Sequence, residues 1–201
     1  MKSLYQFIVK PNGERYNNTK KIGDTSLLLN TSIESFRHIN KEAIVVSTPA
    51  AFNTGINVGD TILIHHNIFR RYYDIKGKEK NGSTYFKDNM YFVNPDQVYG
   101  YKKDNDWVMV NNRCFVKPIK ETSSYSNEKE QKHIGILKYG NNVLEALQIN
   151  PGSLVGFTPN SEWEFIIDDE RLYCMKSNDI AIKYERKGHE EEYNPSWAKS
   201  S

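Results

Sequence analysis

The 201-residue sequence has little cysteine, no long apolar run and no excess of charge of one sign. Its two cysteines, Cys114 and Cys174, lie within apolar strand-like patterns, where cysteine usually acts as a small buried hydrophobe. No run of about eighteen apolar residues occurs, and the first residues lack a long apolar segment, so we expect no membrane contact and no signal peptide. These features favour a cytoplasmic location.

Charge is nearly balanced. The chain has 27 basic and 25 acidic residues, a net charge of +2, and no long cluster of Lys and Arg. A protein that binds nucleic acid through phosphate contacts usually carries a basic patch. We therefore expect no nucleic acid partner.

Candidate catalytic and metal-binding groups are few. No Ser/His/Asp or Cys/His set stands in a recognisable local context, and no glycine-rich loop precedes a helix. His65 and His66 are adjacent, and on a strand their rings would point to opposite faces, which disfavours a shared metal. We therefore predict a protein that is not an enzyme and has no metal or cofactor.

What the sequence does contain is an internal repeat of about a hundred residues. Three short motifs occur twice in the same order. They are Val9-Lys10-Pro11 with Val116-Lys117-Pro118, Ile56 to Asp60 with Ile149 to Ser153, and Tyr91 to Val93 with Tyr173 to Met175. The repeat predicts two small domains, residues 1–105 and 110–186, joined by a short linker within Lys102 to Asn112 and followed by a tail, 187–201.

Short runs rich in Ile, Val, Phe and Tyr alternate with clusters of Gly, Asn, Asp and Pro, a pattern typical of all-β proteins. The clearest predicted strands are Ala43 to Ser47, Thr61 to His65, Tyr91 to Val93 and Trp107 to Val110. Gly59 and Gly152 predict turns with positive φ before a strand. Asp88-Asn89 and Asp168-Asp169-Glu170 predict hairpin tips. Only Val143 to Leu147 indicates a helical turn.

Each half resembles a GroES-type co-chaperonin domain, the second half most closely. That family's domain has an apolar strand ending in Val-Lys, a long loop, a Gly-x-Val-Leu-x-x-Gly strand, a Val-x-x-Gly-Asp turn and an Ile-Asp-x-Glu-x-Leu-x-x-Met-x-x-x-Asp-Ile closing segment. The similar segments here are Cys114 to Lys117, Ile119 to Lys132, Gly135 to Gly140, Ile149 to Phe157 and Ile167 to Ile180, with Pro151 and Ser153 as departures. The resemblance spans residues 112–185, with a weaker match over 4–102.

The resemblance implies two tandem, partly open β-barrels that assemble as a homo-oligomer and cap a chaperonin ring of the GroEL type. The cap encloses a folding protein and does no chemistry. In the family, a mobile loop after the first strand carries an apolar tripeptide that docks on the chaperonin. The corresponding loop of the first copy is 12–40, and Leu27, Leu28 and Leu29 are the candidate tripeptide, with Ile33 as a further apolar contact.

Two alternatives stay open. The three leucines could form a short strand, with Leu27 and Leu29 on one face and Leu28 on the other. The whole protein could be a structural or virion-associated assembly protein that uses the same barrel without a chaperonin, since a fold alone does not fix a function. The second copy's loop, Glu121 to Lys132, is polar with only Tyr125 as an anchor, so we expect it to be flexible and poor at binding.

Two segments have no counterpart in the resemblance. The first copy carries an aromatic and basic insertion, 65–85, for which we expect packing between lobes or subunits, with stacking on nucleic acid bases as the alternative. The tail, 187–201, is acidic and then aromatic. We expect a solvated tail, and anchoring of Tyr193 and Trp197 on a neighbouring subunit is the alternative.

Overall fold

The computed structural model describes residues 2–16, 19–22, 25–28, 39–123 and 129–198, and in 19–22 and 25–28 only the backbone. Within these residues the chain is mostly β, with sixteen strands against one short α-helix, which confirms the all-β prediction. The chain divides into two compact units between Trp107 and Val108.

The first unit is built from strands β1 to β10. Their bounds are β1 (Phe7–Pro11), β2 (Thr19–Ile22), β3 (Thr25–Leu28), β4 (Glu42–Ser47), β5 (Thr61–Ile64), β6 (Tyr72–Tyr73), β7 (Glu79–Lys80), β8 (Tyr91–Val93), β9 (Val98–Lys103) and β10 (Asp106–Met109). Six of these strands form one sheet in the order β10-β9-β5-β4-β1-β8. The hairpins β2–β3 and β6–β7 are separate two-stranded sheets.

The second unit is built from strands β11 to β16 and helix α1. Their bounds are β11 (Arg113–Lys120), β12 (Glu130–Tyr139), α1 (Asn142–Ala146), β13 (Leu154–Phe157), β14 (Trp163–Ile167), β15 (Glu170–Lys176) and β16 (Ile180–Tyr184). The strands form one sheet in the order β14-β15-β11-β12-β13-β16. Helix α1 confirms the predicted helical turn, and the Asn141 side chain caps its start.

Both sheets contain the same arrangement of five strands. The order β8-β1-β4-β5-β9 in the first unit matches β15-β11-β12-β13-β16 in the second, strand for strand. Each repeated motif lies at the same place in both. In the part of the chain that the structure describes, the end strands of each sheet are not hydrogen-bonded to each other, so neither sheet is a closed barrel.

The repeat extends to irregularities in strand pairing. The register of β1 with β4 shifts between Ile8 and Val9, and that of β11 with β12 shifts at the equivalent step, between Phe115 and Val116. A β-bulge adds local bend and twist, so both units curve at the same point. A second pair of shifts, again at equivalent positions, lies at Leu63/Ile64 and Gly156/Phe157.

The predicted glycine turns are confirmed. Gly59 and Gly152 have φ of +95° and +91°, which a residue with a Cβ rarely adopts. The Asp60 carboxylate accepts a hydrogen bond from the backbone N–H three residues earlier at 2.8 Å, and the Ser153 hydroxyl does the same at 3.2 Å. Serine therefore replaces the expected aspartate without loss of the local hydrogen bond.

The predicted hairpin tips are also confirmed. Asp88 and Asn89 have φ of 49° and 58°, and Asp168 and Asp169 have φ of 48° and 62°. Two consecutive residues with positive φ are typical of the type I′ turns that match the twist of a hairpin. Asp and Asn tolerate this conformation better than most residues.

A third such turn lies within the predicted linker. Asp104 and Asn105 have φ of 50° and 69° and stand between β9 and β10, which are neighbours in the first sheet. The stretch from Lys102 to Asn112 is therefore a hairpin for most of its length. The division between the two compact units, Trp107/Val108, falls within this stretch.

Both cysteines are fully buried, as predicted. Cys114 packs with Val116, Leu137 and Met175 in the core of the second unit, and Cys174 is equally buried. Burial raises the pKa of the Cys114 thiol to about 12 and raises that of Cys174 as well. Thiols in this state are structural rather than reactive.

We expect Gly135→Ala to be costly, because the added Cβ would lie 2.3 Å from the Lys117 carbonyl oxygen and 2.5 Å from Val116 Cγ1. Crowding against backbone should destabilise the fold by about 1–3 kcal/mol. Gly140→Ala is the matched control, since its Cβ would meet only one atom, the side-chain Cδ2 of Leu137, at 3.3 Å. Equilibrium urea unfolding measures both; equal losses would contradict the packing argument.

Candidate functional site: the stem of the first loop

The described ends of the predicted docking loop form a short ladder that we call the stem, residues 12–16 and 39–42. Tyr16 and Ile39 form an antiparallel bridge. The Asn40 N–H donates to the Arg15 carbonyl at 3.2 Å. The stem therefore continues the pairing of β1 with β4 beyond the sheet.

The side chain of Asn40 closes the stem. It is 5% exposed, and its Nδ2 donates to the carbonyl oxygens of Asn12 and Glu14 at 2.8 and 2.9 Å. Its Oδ1 accepts from the Glu42 N–H at 2.9 Å. Because a buried amide costs free energy unless it is bonded, these contacts fix the spacing of the two stem strands.

The stem is attached to the insertion through Tyr16. This side chain is buried, and its hydroxyl accepts a hydrogen bond from the Arg71 N–H at 2.8 Å. The Arg71 guanidinium lies 4.7 Å from the centre of the Tyr16 ring, within the range of a cation–π contact.

Arg15 makes the strongest connection between the stem and the insertion. Its Nε donates to the Phe69 carbonyl at 2.6 Å, its Nη2 to the Arg70 carbonyl at 2.9 Å, and its Nη1 to Glu79 Oε1 at 3.1 Å. The guanidinium also lies 5.4 Å from the centre of the Tyr91 ring. The Arg15 side chain is only 14% exposed, so its bonds to the two carbonyls are shielded from water, whereas Glu79 is 45% exposed.

The insertion itself has a buried base and an exposed hairpin. Ile68 and Phe69 are fully buried, and the Thr84 hydroxyl donates to the Ile68 carbonyl at 2.8 Å. Beyond this base, β6 pairs with β7, and Tyr72 is exposed. Packing between lobes or subunits, which we expect for this insertion, stays a prediction.

The two adjacent histidines are not arranged as predicted. Strand β5 ends at Ile64, and His65 caps a 3-10 turn by accepting the Asn67 N–H at Nδ1. The rings of His65 and His66 are therefore stacked, with centroids 4.3 Å apart, rather than on opposite faces. Burial, followed by the neighbouring charges of His65, Lys41 and Arg70, lowers the pKa of His66 to about 4.

No metal site emerges from these residues. Within the ranges that the structure describes, no group of three His, Cys, Asp or Glu side chains is placed to hold a metal ion.

The predicted docking residues lie partly within the described chain. Leu27 and Leu28 belong to β3, where their backbones pair with Lys20 and Thr19 of β2. Leu29 and Ile33 lie outside the described residues. The backbone of Leu27 and Leu28 therefore forms a strand, in a hairpin separate from the six-stranded sheet. Their role in docking stays a prediction.

The loop of the second unit is shorter than predicted. Strand β11 continues to Lys120, which pairs with Glu130 at the start of β12, and the Glu121 N–H donates to the Lys129 carbonyl at 3.2 Å. Cross-strand pairing thus takes up both ends of the predicted loop. Residues 124–128, including Tyr125, lie outside the described residues.

A half-buried ion cluster fixes the return of this second loop. The Arg171 guanidinium donates to Glu164 at 2.8 Å, to the Tyr173 hydroxyl at 2.7 Å and to Glu130. The hydrogen bonds to Glu130 and Glu164 outweigh the effect of burial and raise the pKa of Arg171. Burial and the bond to Glu130 raise the pKa of Tyr173.

The tail corrects another prediction, because part of it pairs with β11. The Lys120 N–H donates to the Glu191 carbonyl at 2.8 Å, and the Tyr193 N–H donates to the Pro118 carbonyl at 2.9 Å. β15 pairs with β11 only from Arg113 to Val116, and the tail supplies hydrogen-bond partners for the backbone of Pro118 and Lys120 beyond it. A solvated tail was therefore the wrong interpretation for this segment.

Charged side chains reinforce the attachment of the tail. The Lys117 ammonium lies 2.6 Å from Glu192 and 2.8 Å from Glu170, and Lys138 lies 3.2 Å from Glu170. Burial alone would raise the pKa of Glu170, but the hydrogen bonds from the two lysines outweigh it and lower that pKa.

The end of the tail contacts the β14–β15 hairpin. The Asn194 side chain accepts the Arg171 N–H at 3.1 Å and donates to the Asp169 carbonyl at 3.0 Å. Trp197 is half exposed and lies 5.9 Å from the Arg171 guanidinium. These contacts are within the second unit; anchoring of Tyr193 and Trp197 on another subunit stays a prediction.

Neither a family model nor a curated protein matches the chain. In the described ranges, no helix has both the length and the hydropathy needed to cross a membrane.

We expect Glu170→Gln to destabilise the second unit by on the order of 1 kcal/mol at pH 7, since two lysines lose their shared partner. Because the pKa of Glu170 is lower in the folded protein than its unfolded value of about 4.3, the ionised carboxylate stabilises the fold when the pH is above that unfolded pKa. This stabilisation is lost as the pH falls through the pKa of the folded state. The difference from the unmodified protein should therefore shrink at about pH 3. Urea unfolding at both pH values measures it.

The exposed Glu185 supplies the control for this measurement, since Glu185→Gln removes the same charge from the same unit. A loss that persists undiminished in acid, or that Glu185→Gln reproduces, would contradict the ion-pair explanation.

Proposed function

We propose that this protein is a co-chaperonin of two tandem GroES-like domains, each a partly open β-barrel. It assembles as a homo-oligomer and caps a chaperonin ring of the GroEL type during ATP-dependent protein folding. The observation that supports this most is the shared five-strand order of the two sheets, with the resembling motifs at equivalent places in each. The proposal includes a cytoplasmic location, no enzymatic activity, no cofactor, and no nucleic acid or membrane partner.

The closing segment of the second unit supports the same proposal. Ile167 to Ile180 forms the end of β14, a type I′ turn, β15, a 3-10 turn and the first residue of β16. Two features of the structure account for residues of the family pattern in this segment. Ile167 and Leu172 are buried, and the paired acidic residues adopt the positive φ that the turn requires.

The first loop is the proposed docking element. Its stem leaves the sheet as a fixed ladder, and beyond it Leu27 and Leu28 lie in a hairpin apart from the main sheet. Leu27, Leu28 and Leu29, with Ile33, would bury their side chains in an apolar groove of the chaperonin. Ordering a loop on binding offsets part of this apolar gain and keeps the contact reversible.

The second loop is proposed not to dock. It is polar, and its ends are taken up by β11, β12 and the tail. Each chain would therefore present one docking loop. The remaining surface of the second unit is then available for assembly.

Replacing Leu27, Leu28 and Leu29 together by Ser should abolish chaperonin capture. Each leucine buried in the complex contributes about 1.5–3 kcal/mol, so binding should weaken on the order of a hundredfold or more. Native mass spectrometry with a GroEL-type chaperonin and ATP measures capture, and refolding of a chaperonin-dependent client measures activity. Ile33→Ser should give a smaller loss.

The control is Leu4→Ser with Leu147→Ser, two leucines that are more than half exposed and lie outside the loop. This variant should bind normally. Capture that survives the triple change would refute docking through these leucines, and unfolding of the triple variant would favour the strand interpretation. A folded, oligomeric protein that never binds a chaperonin would favour the alternative, a structural or virion-associated assembly protein.

A further inference from the structure

We infer that the hairpin of the insertion, β6 and β7, is a brace that fixes the stem of the first loop, with Arg15 and Glu79 as its positioning residues. The effect of the brace on docking rests on the proposed function. Its effect on the stem does not.

The contacts of the insertion divide into two groups. Ile68 and Phe69 fill the core of the unit, and the Phe69 ring meets Tyr91 edge-on at 4.9 Å. These two residues account for the stability of the insertion's base. They do not explain why the chain continues into an exposed hairpin.

One charged side chain of the hairpin, Glu79, contacts the stem. The Glu79 carboxylate accepts from Arg15 at 3.1 Å and lies 3.7 Å from the Arg71 guanidinium. Arg71 in turn covers the Tyr16 ring at 4.7 Å and bonds to the Tyr16 hydroxyl through its backbone. Two consecutive stem residues are therefore held from the same side.

The geometry of Arg15 suits a clamp. Its planar guanidinium bonds at one edge to two successive carbonyls, of Phe69 and Arg70, and at another to Glu79 on the far arm of the hairpin. One stem side chain thus joins both arms of the insertion. Lysine could not replace it, because a single ammonium cannot span three acceptors in this planar arrangement.

The tip of the hairpin is also fixed. Asp74 Oδ1 accepts hydrogen bonds from the N–H groups of Lys76 and Lys78, both at 2.9 Å, and the Asp74 N–H donates to the Lys78 carbonyl at 2.9 Å. A hairpin with an ordered turn can transmit rigidity to whatever its arms hold. A flexible excursion could not.

Under the proposed function the docking residues follow the stem, and a fixed stem gives them a fixed point of departure from the sheet. Binding then requires less ordering, and a larger fraction of molecules is competent to dock. The brace would raise the affinity of the loop without touching the chaperonin.

The test uses the full chain and three variants. They are Glu79→Gln, Arg15→Ala, and replacement of residues 72–80 by Gly-Gly. Lys78→Gln is the matched control, because it changes one exposed charge on the same hairpin and has no contact with the stem. Far-ultraviolet circular dichroism and thermal unfolding establish that each variant folds, and Glu79→Gln, the mildest change, keeps the test valid if another does not.

The first measurement is amide hydrogen exchange on the protein alone. The N–H groups of Asn40 and Arg71 are bonded within the stem and between stem and insertion. Their exchange should quicken about tenfold or more in Arg15→Ala and in the shortened chain, and less in Glu79→Gln. The buried Val45 amide should change less than about twofold in every variant.

The second measurement is affinity for a GroEL-type chaperonin with ATP. This affinity should weaken about three- to tenfold in Arg15→Ala and in the shortened chain. Stem exchange that stays at the unmodified rate in the shortened chain would overturn the brace. Faster exchange with unchanged affinity would overturn its positioning role. If the unmodified protein binds no chaperonin, the proposed function fails, and hydrogen exchange alone still decides whether the brace exists.

Discussion

Antiparallel pairing between the first strand of each unit and the strand that returns from its loop is the constraint on which both units depend. β1 and β11 are interior strands of their sheets. β1 lies between β4, which returns from the loop, and β8, and β11 lies between β12, which returns from the loop, and β15. Their registers agree residue for residue: Val9 lies opposite Tyr91, and Val116 lies opposite Tyr173. Because one slipped residue would turn every side chain to the other face, this register fixes the core and the point where each loop leaves.

Local signals in the sequence predicted most of the strands and turns. Gly59 and Asp88-Asn89 could be interpreted because the conformation they favour depends on a few neighbours. The stem could not be predicted in this way. Arg15 and Glu79 are 64 positions apart, and Lys117 and Glu192 are 75 apart, so no local pattern joins them.

The errors have a related cause. A solvated tail was inferred from a polar, acidic composition, but Glu192 finds Lys117 only once the sheet has formed. The histidine arrangement assumed that β5 continued through His65, whereas a 3-10 turn begins there. The composition of a segment indicates whether it can be exposed to water, and its hydrophobic periodicity indicates whether it can form a strand. Neither specifies the partner that tertiary structure brings to it.

The two units fix their loops with similar chemistry from different places in the sequence. Tyr91 and Tyr173 are equivalent, and an arginine guanidinium lies near each ring, at 5.4 and 4.8 Å. In the first unit the arginine comes from the loop stem and its glutamate from the insertion.

In the second unit the arginine comes from β15, and its glutamate, Glu130, is the first residue of β12, the strand that returns from the loop. What the two units share is therefore a contact that joins the base of the loop to the strand carrying the equivalent tyrosine, Tyr91 or Tyr173. The residues that make the contact differ. Two units that share this arrangement can differ in their loops, as the polar second loop differs from the first, without losing the sheet. If docking through the first loop is correct, the first unit can use its loop for binding, while the second unit keeps only the contact at the base of its loop that the fold requires.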